Sequence, residues 1–172
     1  YLTKYMSDDY ETMLVGGVKE DHEESSEFIV EGLGIKPTVL PEMQRAINYG
    51  NDKAAYRKIK DIIAEFKPDV VHTHASKPGT IGRLAAHKMK VPAIVHTFHG
   101  NVFNGYFGKA KTQVYKNIER YLAKRPHAIL AISDLQKQEL VNEHKICPAD
   151  KISVVRLGFD LARVHDNLAY KR

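Results

Sequence analysis

Residues 68–86 read PDVVHTHASKPGTIGRLAA, and the fold turns on how this stretch is divided. Val70 to Thr73 is a short apolar run, and Ser76 to Gly79 is a polar elbow with a proline near the first helical position. Ile81, Leu84, Ala85 and Met89 then recur at helical spacing. A strand leading directly into a helix is half of a β-α-β unit, so the flanking sequence should supply the rest.

It does so on both sides. Upstream, Ile59, Ile62, Ile63 and Phe66 predict a helix over 51–66, with Asn51 as its cap and Lys67-Pro68 as its stop. Downstream, Val91 to Thr97 predicts a strand and Lys109 to Ala123 a helix with Val114, Ile118, Tyr121 and Leu122 on its apolar side. AILAI (128–132) predicts a strand, and Ser133 with Gln136 forms a capping box for a helix to about His144. Lys151 to Leu157 is the last strand. Nearer the start, Thr12 to Val18 and Lys36 to Leu40 are strand candidates, and KEDHEESSEF (19–28) reads as an exposed loop. The apolar runs are continuous rather than alternating, as in strands covered on both faces. That predicts an α/β domain with a mainly parallel sheet between layers of helices.

Bulk properties narrow the class. The 172 residues are 43% hydrophobic and 27% charged, with a net charge of +5. No apolar run is long enough to span a bilayer, and the first residues do not read as a signal peptide. One cysteine, Cys147, cannot form an internal disulfide and fits a reducing, cytoplasmic setting. Through Ile35 nine acids face only Lys4 and Lys19, a balance of −7, which leaves +12 on the remainder. A basic body attracts anions, whether phosphates, nucleic acid or an acidic membrane face, and stands equally as a solvated surface with no partner.

In an open parallel sheet, ligands bind beyond the carboxyl ends of the strands. The HTH of 72–74 and the HTFHG of 96–100 both fall there. Three readings of these histidines stand side by side: a metal site, a sugar or phosphate pocket, and satisfied core histidines. A metal would need further ligands, and neither loop carries a carboxylate. His72 and His96 precede the rim and suit packing, with a ring nitrogen bonded to backbone. His74 and His99 sit at the mouth. Ser76, Lys77 and Gly79 open a helix whose free amides and dipole suit an anion or a hydroxyl-rich ligand. Gly79 and Gly82 also suit close packing of helix on sheet. The spacing is not that of a Walker loop or a dinucleotide fingerprint. Phe103, Tyr106 and Phe107, on the loop before Lys109, suit a lid, a sugar platform, a membrane contact or a hydrophobic plug.

PDVVHTHASKPGTIGRLAA, VPAIVHTFHG (91–100), the IER of 118–120, AILAISDLQKQEL (128–140) and KISVVRLGFD (151–160) occur in this order. Together they resemble the N-terminal domain of family 4 glycosyltransferases, from about Leu2 to Asp160. The resemblance implies a Rossmann-like three-layer domain, one half of a two-domain GT-B architecture with the active site between the domains. It implies transfer of a sugar from a nucleotide-sugar donor to a glycan or lipid-linked acceptor, with retention at the anomeric carbon, in surface polysaccharide synthesis. No metal or other cofactor and no nucleic acid partner is implied. The acceptor would lie in this half and the donor mostly in a C-terminal domain.

Residue by residue, the resemblance puts His99 near the donor sugar as the catalytic candidate. Gly100 and Ser133 are the donor-side candidates, and His74, Ser76, Lys77 and Gly79 the acceptor-side ones. Glu119 and Arg120 match a pair with a structural role. Gly158 to Asp160 resembles a motif leading into an interdomain linker, although Leu157 stands where an asparagine is expected. The implied domain covers 1–160, with the family's first strand lying before Tyr1, and 161–172 begins a linker or tail. A piece without the donor-binding half should not catalyse transfer. Peripheral attachment at the inner membrane face fits the basic body. A sugar-nucleotide epimerase half and a non-catalytic anion- or sugar-binding domain are the competing expectations.

Overall fold

The computed structural model describes residues 2–19, 27–100, 103 and 108–158. Strands β1 (Val15–Gly17), β2 (Thr38–Leu40), β3 (Val70–His74), β4 (Ala93–Phe98), β5 (Ala128–Ala131) and β6 (Ile152–Val154) alternate with helices. These are α1 (Glu27–Gly32), α2 (Tyr49–Phe66), α3 (Ser76–Lys88), α4 (Lys109–Leu122) and α5 (Asp134–Gln138). Every pairing is parallel, so the chain is an α/β domain of the Rossmann-like kind. The strands form two ladders, β1-β2 and β3-β4-β5-β6, because β1 and β3 share no pairing.

Local sequence explains most boundaries. α2 starts two residues before the expected Asn51. The cap is Asn48, whose Oδ1 accepts the Asn51 N–H at 3.0 Å. It stops where expected: Lys67 turns to a left-handed φ of 51° and its N–H reaches the Ile63 carbonyl. Ser133 caps α5 as the capping box predicts, Oγ accepting from the Gln136 N–H at 3.1 Å. Gln136 in turn takes the Ile132 N–H at 2.9 Å. The expected run to His144 is not one α-helix. After Gln138 the chain widens into a π-turn over Glu139–Glu143, closed by the His144 N–H on the Glu139 carbonyl. The last strand is also shorter than expected. Of the acidic segment, 20–26 lies outside the described residues, and Glu27–Gly32 is helical rather than loop.

Among the described residues the core has three clusters. The largest gathers Phe98, Ile129 and Ile152 of the sheet with Leu140 of the π-turn, and Tyr115 of α4 and a half-buried Cys147 pack against it. The second joins α2 and α3 to the sheet through Ile63, Ala85 and Ile94. The third, Leu40, Met43, Ala55 and Ile81, holds the small ladder against the same two helices.

One helix face departs from expectation. α4 buries Leu122, but Val114 is 56%, Ile118 41% and Tyr121 56% exposed. Glu119 is buried instead, accepting both Nη2 hydrogen bonds of the fully buried Arg83 at 2.9 and 3.1 Å. That pair sets the roll of α4, because two buried charges must meet each other. Arg120, beside it, donates to the His144 and Lys145 carbonyls. The ER pair thus ties α4 to α3 on one side and to the end of the π-turn on the other.

Candidate functional site at the strand ends

The register of β3 on β4 sorts the histidines. Thr73 is paired with His96 and His74 with Thr97, so side chains one residue apart leave opposite faces of the sheet. On the α3 face, His96 is 1% exposed and its Nδ1 lies 2.9 Å from the Thr73 hydroxyl. Gly79 and Gly82 bring α3 down onto these two side chains. A Cβ at Gly79 would lie 2.6 Å from the His96 ring, and one at Gly82 2.8 Å from the Thr73 methyl. Burial first, and then Arg83, push the His96 ring down to about 2, so it is neutral. His96 is thus a packed histidine, as its place within the strand suggests.

The other face carries a chain of groups. His72 Nε2 is 2.7 Å from the Thr97 hydroxyl, a side-chain partner where a backbone one is expected. The His72 and His74 rings lie 4.3 Å apart, and His74 Nδ1 is 2.9 Å from His99 Nε2. Burial, then the His72 and His99 rings, bring His74 down to about 4; burial also lowers His72. These three rings stand at the adjoining ends of β3 and β4, with His99 exposed at the mouth. A hydrogen bond shared by two imidazoles leaves each ring its other nitrogen for a ligand hydroxyl. Among the described residues, no group of three or more His, Cys, Asp or Glu side chains is arranged to hold a metal ion.

The remaining candidates scatter along the rim. Ala75, between His74 and α3, has φ 59° and ψ 172°, a conformation that non-glycine residues avoid, and it provides no side-chain cap. Ser76 is exposed at the first position of α3, and its carbonyl takes the Thr80 hydroxyl. The Lys77 ammonium turns to α2, 2.5 Å from an Asp52 carboxylate oxygen and on the Ala46 carbonyl. Gly79 is buried against His96, one turn inside the helix. Gly100 is exposed, with open space around it. The Ser133 oxygen serves as the α5 cap. His74 and His99 are the two candidates that the fold brings into contact. Tyr106 and Phe107 lie outside the described residues.

Sequence reading missed Thr73, Thr97 and Ala75. The signal for the threonines is present: His and Thr alternate in both HTH and VHTF, so a parallel register shifted by one sets each histidine against a threonine. Nothing in the sequence marks Ala75, since strain there depends on the angle at which α3 meets the sheet.

A Rossmann-like domain with a polar rim at its strand ends defines a class of ligand-binding α/β domains. The chain belongs to Glycosyltransferase Family 4, whose family model matches residues 5–163. It is 33% identical over 129 residues to the Escherichia coli UDP-Gal:alpha-D-GlcNAc-diphosphoundecaprenol alpha-1,3-galactosyltransferase. That alignment takes in 75% of this chain and 33% of the relative, so the chain spans about a third of the relative's length. In fold it is similar to a UDP-N-acetylglucosamine 2-epimerase, at a TM-score of 0.59 and 20% identity over 88% of this chain and 39% of that one. A glycosyltransferase from Rickettsia africae matches at a TM-score of 0.56 and 21% identity, over 87% and 39%.

Proposed function

We propose that this chain is the acceptor-side half of a retaining glycosyltransferase that moves a sugar from a nucleotide-sugar donor to a lipid-linked or glycan acceptor. The observation that carries the reading is the His74–His99 contact at the joined ends of β3 and β4, in a chain of this family. His99 offers a ring nitrogen to a donor-sugar hydroxyl, and the start of α3 lines the acceptor side. A C-terminal domain of the same protein supplies the donor-phosphate contacts, so the 172 residues alone are inactive. No metal takes part.

The test incubates the whole protein with UDP-galactose and GlcNAc-diphosphoundecaprenol, the pair suggested by the Escherichia coli relative. The anomeric configuration of the product is read by NMR. Transfer with retention, unchanged by EDTA and lost in His99→Ala, is the expected result. Free UDP-galactose surviving alongside an untouched acceptor, with every UDP-sugar tried, would overturn it. The fold likeness to UDP-N-acetylglucosamine 2-epimerases keeps a second reading in view. Conversion of UDP-GlcNAc without any acceptor would favour that one, although no carboxylate stands in the loops after β3 and β4.

The reading includes peripheral attachment at the cytoplasmic face of the inner membrane. No helix among the described residues is long and apolar enough to cross a membrane. What supports attachment is α4, which exposes Val114, Ile118 and Tyr121 beside the exposed Lys109, Lys111 and Lys124. The helix begins on the rim side of β4, where a lipid-linked acceptor would have to arrive.

A further inference from the structure

We infer that His74 is a positioning residue: it accepts a hydrogen bond from His99 and so fixes His99 as the Nε2–H tautomer, with Nδ1 left as the nitrogen offered to a ligand. The first support is the contact itself, Nδ1 of His74 to Nε2 of His99 at 2.9 Å. Only one proton lies between two nitrogens that close, so the two rings cannot choose their tautomers independently.

The direction of the bond follows from chemistry. Neutral histidine side chains favour the Nε2–H form in water. With His99 donating, both rings keep that form. With His74 donating, both must take the less favoured Nδ1–H form. Only the first direction also survives protonation of His99, which keeps its Nε2–H in either state.

His74 is suited to the acceptor role because it stays neutral. The groups that face it are the His72 ring at 4.3 Å and the His99 ring at 5.1 Å. Neither is an anion that would hold a proton on it, and burial lowers its affinity further. Its ring is also held in place. His72, anchored on the Thr97 hydroxyl, stacks on one side, and the strained turn at Ala75 fixes the chain immediately after it.

The experiment measures the side-chain 15N shifts of His99 in 15N-histidine-labelled protein at neutral pH. A single form with Nε2 protonated and Nδ1 bare is expected. His74→Phe keeps a ring but removes the acceptor, and the two His99 nitrogens should move toward a tautomer average. His74→Asn, whose Oδ1 can stand near the lost nitrogen, should restore the original shifts. A wild-type His99 protonated on Nδ1, or one that is already averaged, would overturn the inference without any variant. Unchanged His99 shifts in a folded His74→Phe protein would do so too.

A kinetic consequence rests on the proposed transferase reading. His74→Phe should lower kcat about ten- to a hundredfold with little change in donor KM, and His74→Asn should recover most of it. Absence of transfer by the wild-type protein would sink that reading, and the nitrogen shifts would still decide the role of His74.

Discussion

Ala75 is held at φ 59° and ψ 172°, a region that costs a non-glycine residue about 1–3 kcal/mol. Glycine tolerates it, at about 0.5–1 kcal/mol of added unfolded-chain entropy. Ala75→Gly should therefore raise stability by about 1 kcal/mol, seen as a higher urea midpoint at constant slope. The histidines make a second prediction at this scale. His74 and His96 bind protons more weakly folded than unfolded, at about 4 and about 2 against an ordinary 6.5. Their contribution to stability is thus complete above about pH 6.5 and falls as pH drops. His74's share is gone by about pH 4, and His96's continues below that, each at no more than about 1.4 kcal/mol per pH unit. Urea midpoints between pH 7 and pH 4 should decline, and His96→Gln should flatten the decline. An equally steep profile in that variant would show that other groups drive it. The sequence showed which histidines sit at strand ends. It did not show which face each takes, because one residue of register decides that and the apolar pattern is continuous on both faces.

At the scale of elements, α4 illustrates what periodicity hides. Val114, Ile118 and Tyr121 have the spacing of a core stripe, yet the helix rolls them outward so that Glu119 can meet Arg83. A charge inside an amphipathic helix reads as solvent-facing unless its partner is known, and Arg83 lies 36 residues away. Glu119→Ala leaves the guanidinium buried and unpaired, and should cost about 3–5 kcal/mol. Adding Arg83→Met should return much of that loss; a double variant as unstable as the single would mean that the pair has no special role. For the exposed stripe, Val114→Ser with Ile118→Ser should leave the melting temperature within a few degrees. It should also weaken binding to anionic vesicles, an effect that co-sedimentation reads directly. Strong helices and the β3-α3 corner were legible in advance, because caps, stops and apolar spacing are local. The π-turn after Gln138 and the shortened β6 were not, because tertiary packing sets them.

At the scale of the whole molecule, the described residues form two parallel ladders of unequal strength that share α2 and α3. β1 and β2 pair over three residues each and rest on the small cluster of Leu40, Met43, Ala55 and Ile81. β4 and β5 are inner strands of the larger ladder, with Ile94, Ile129 and Ala131 almost wholly buried. Native-state hydrogen exchange should therefore find β1-β2 amides opening at much lower free energy than those of β4 and β5. Uniform protection across both would mean that the ladders unfold as one unit. The sequence announced parallel strands and crossover helices. The division into two ladders was not legible, since an apolar run records that a strand is buried and not which neighbour it pairs with. Cys147 gives the larger ladder a chemical clock. Burial pushes its thiol up, and it packs on the Phe98–Ile152 cluster. As the one cysteine in the sequence, and a half-buried one, it lets the rate of maleimide alkylation, set against that of the urea-unfolded chain, report how far this packing shields the thiol, with no label to introduce and no second thiol to subtract.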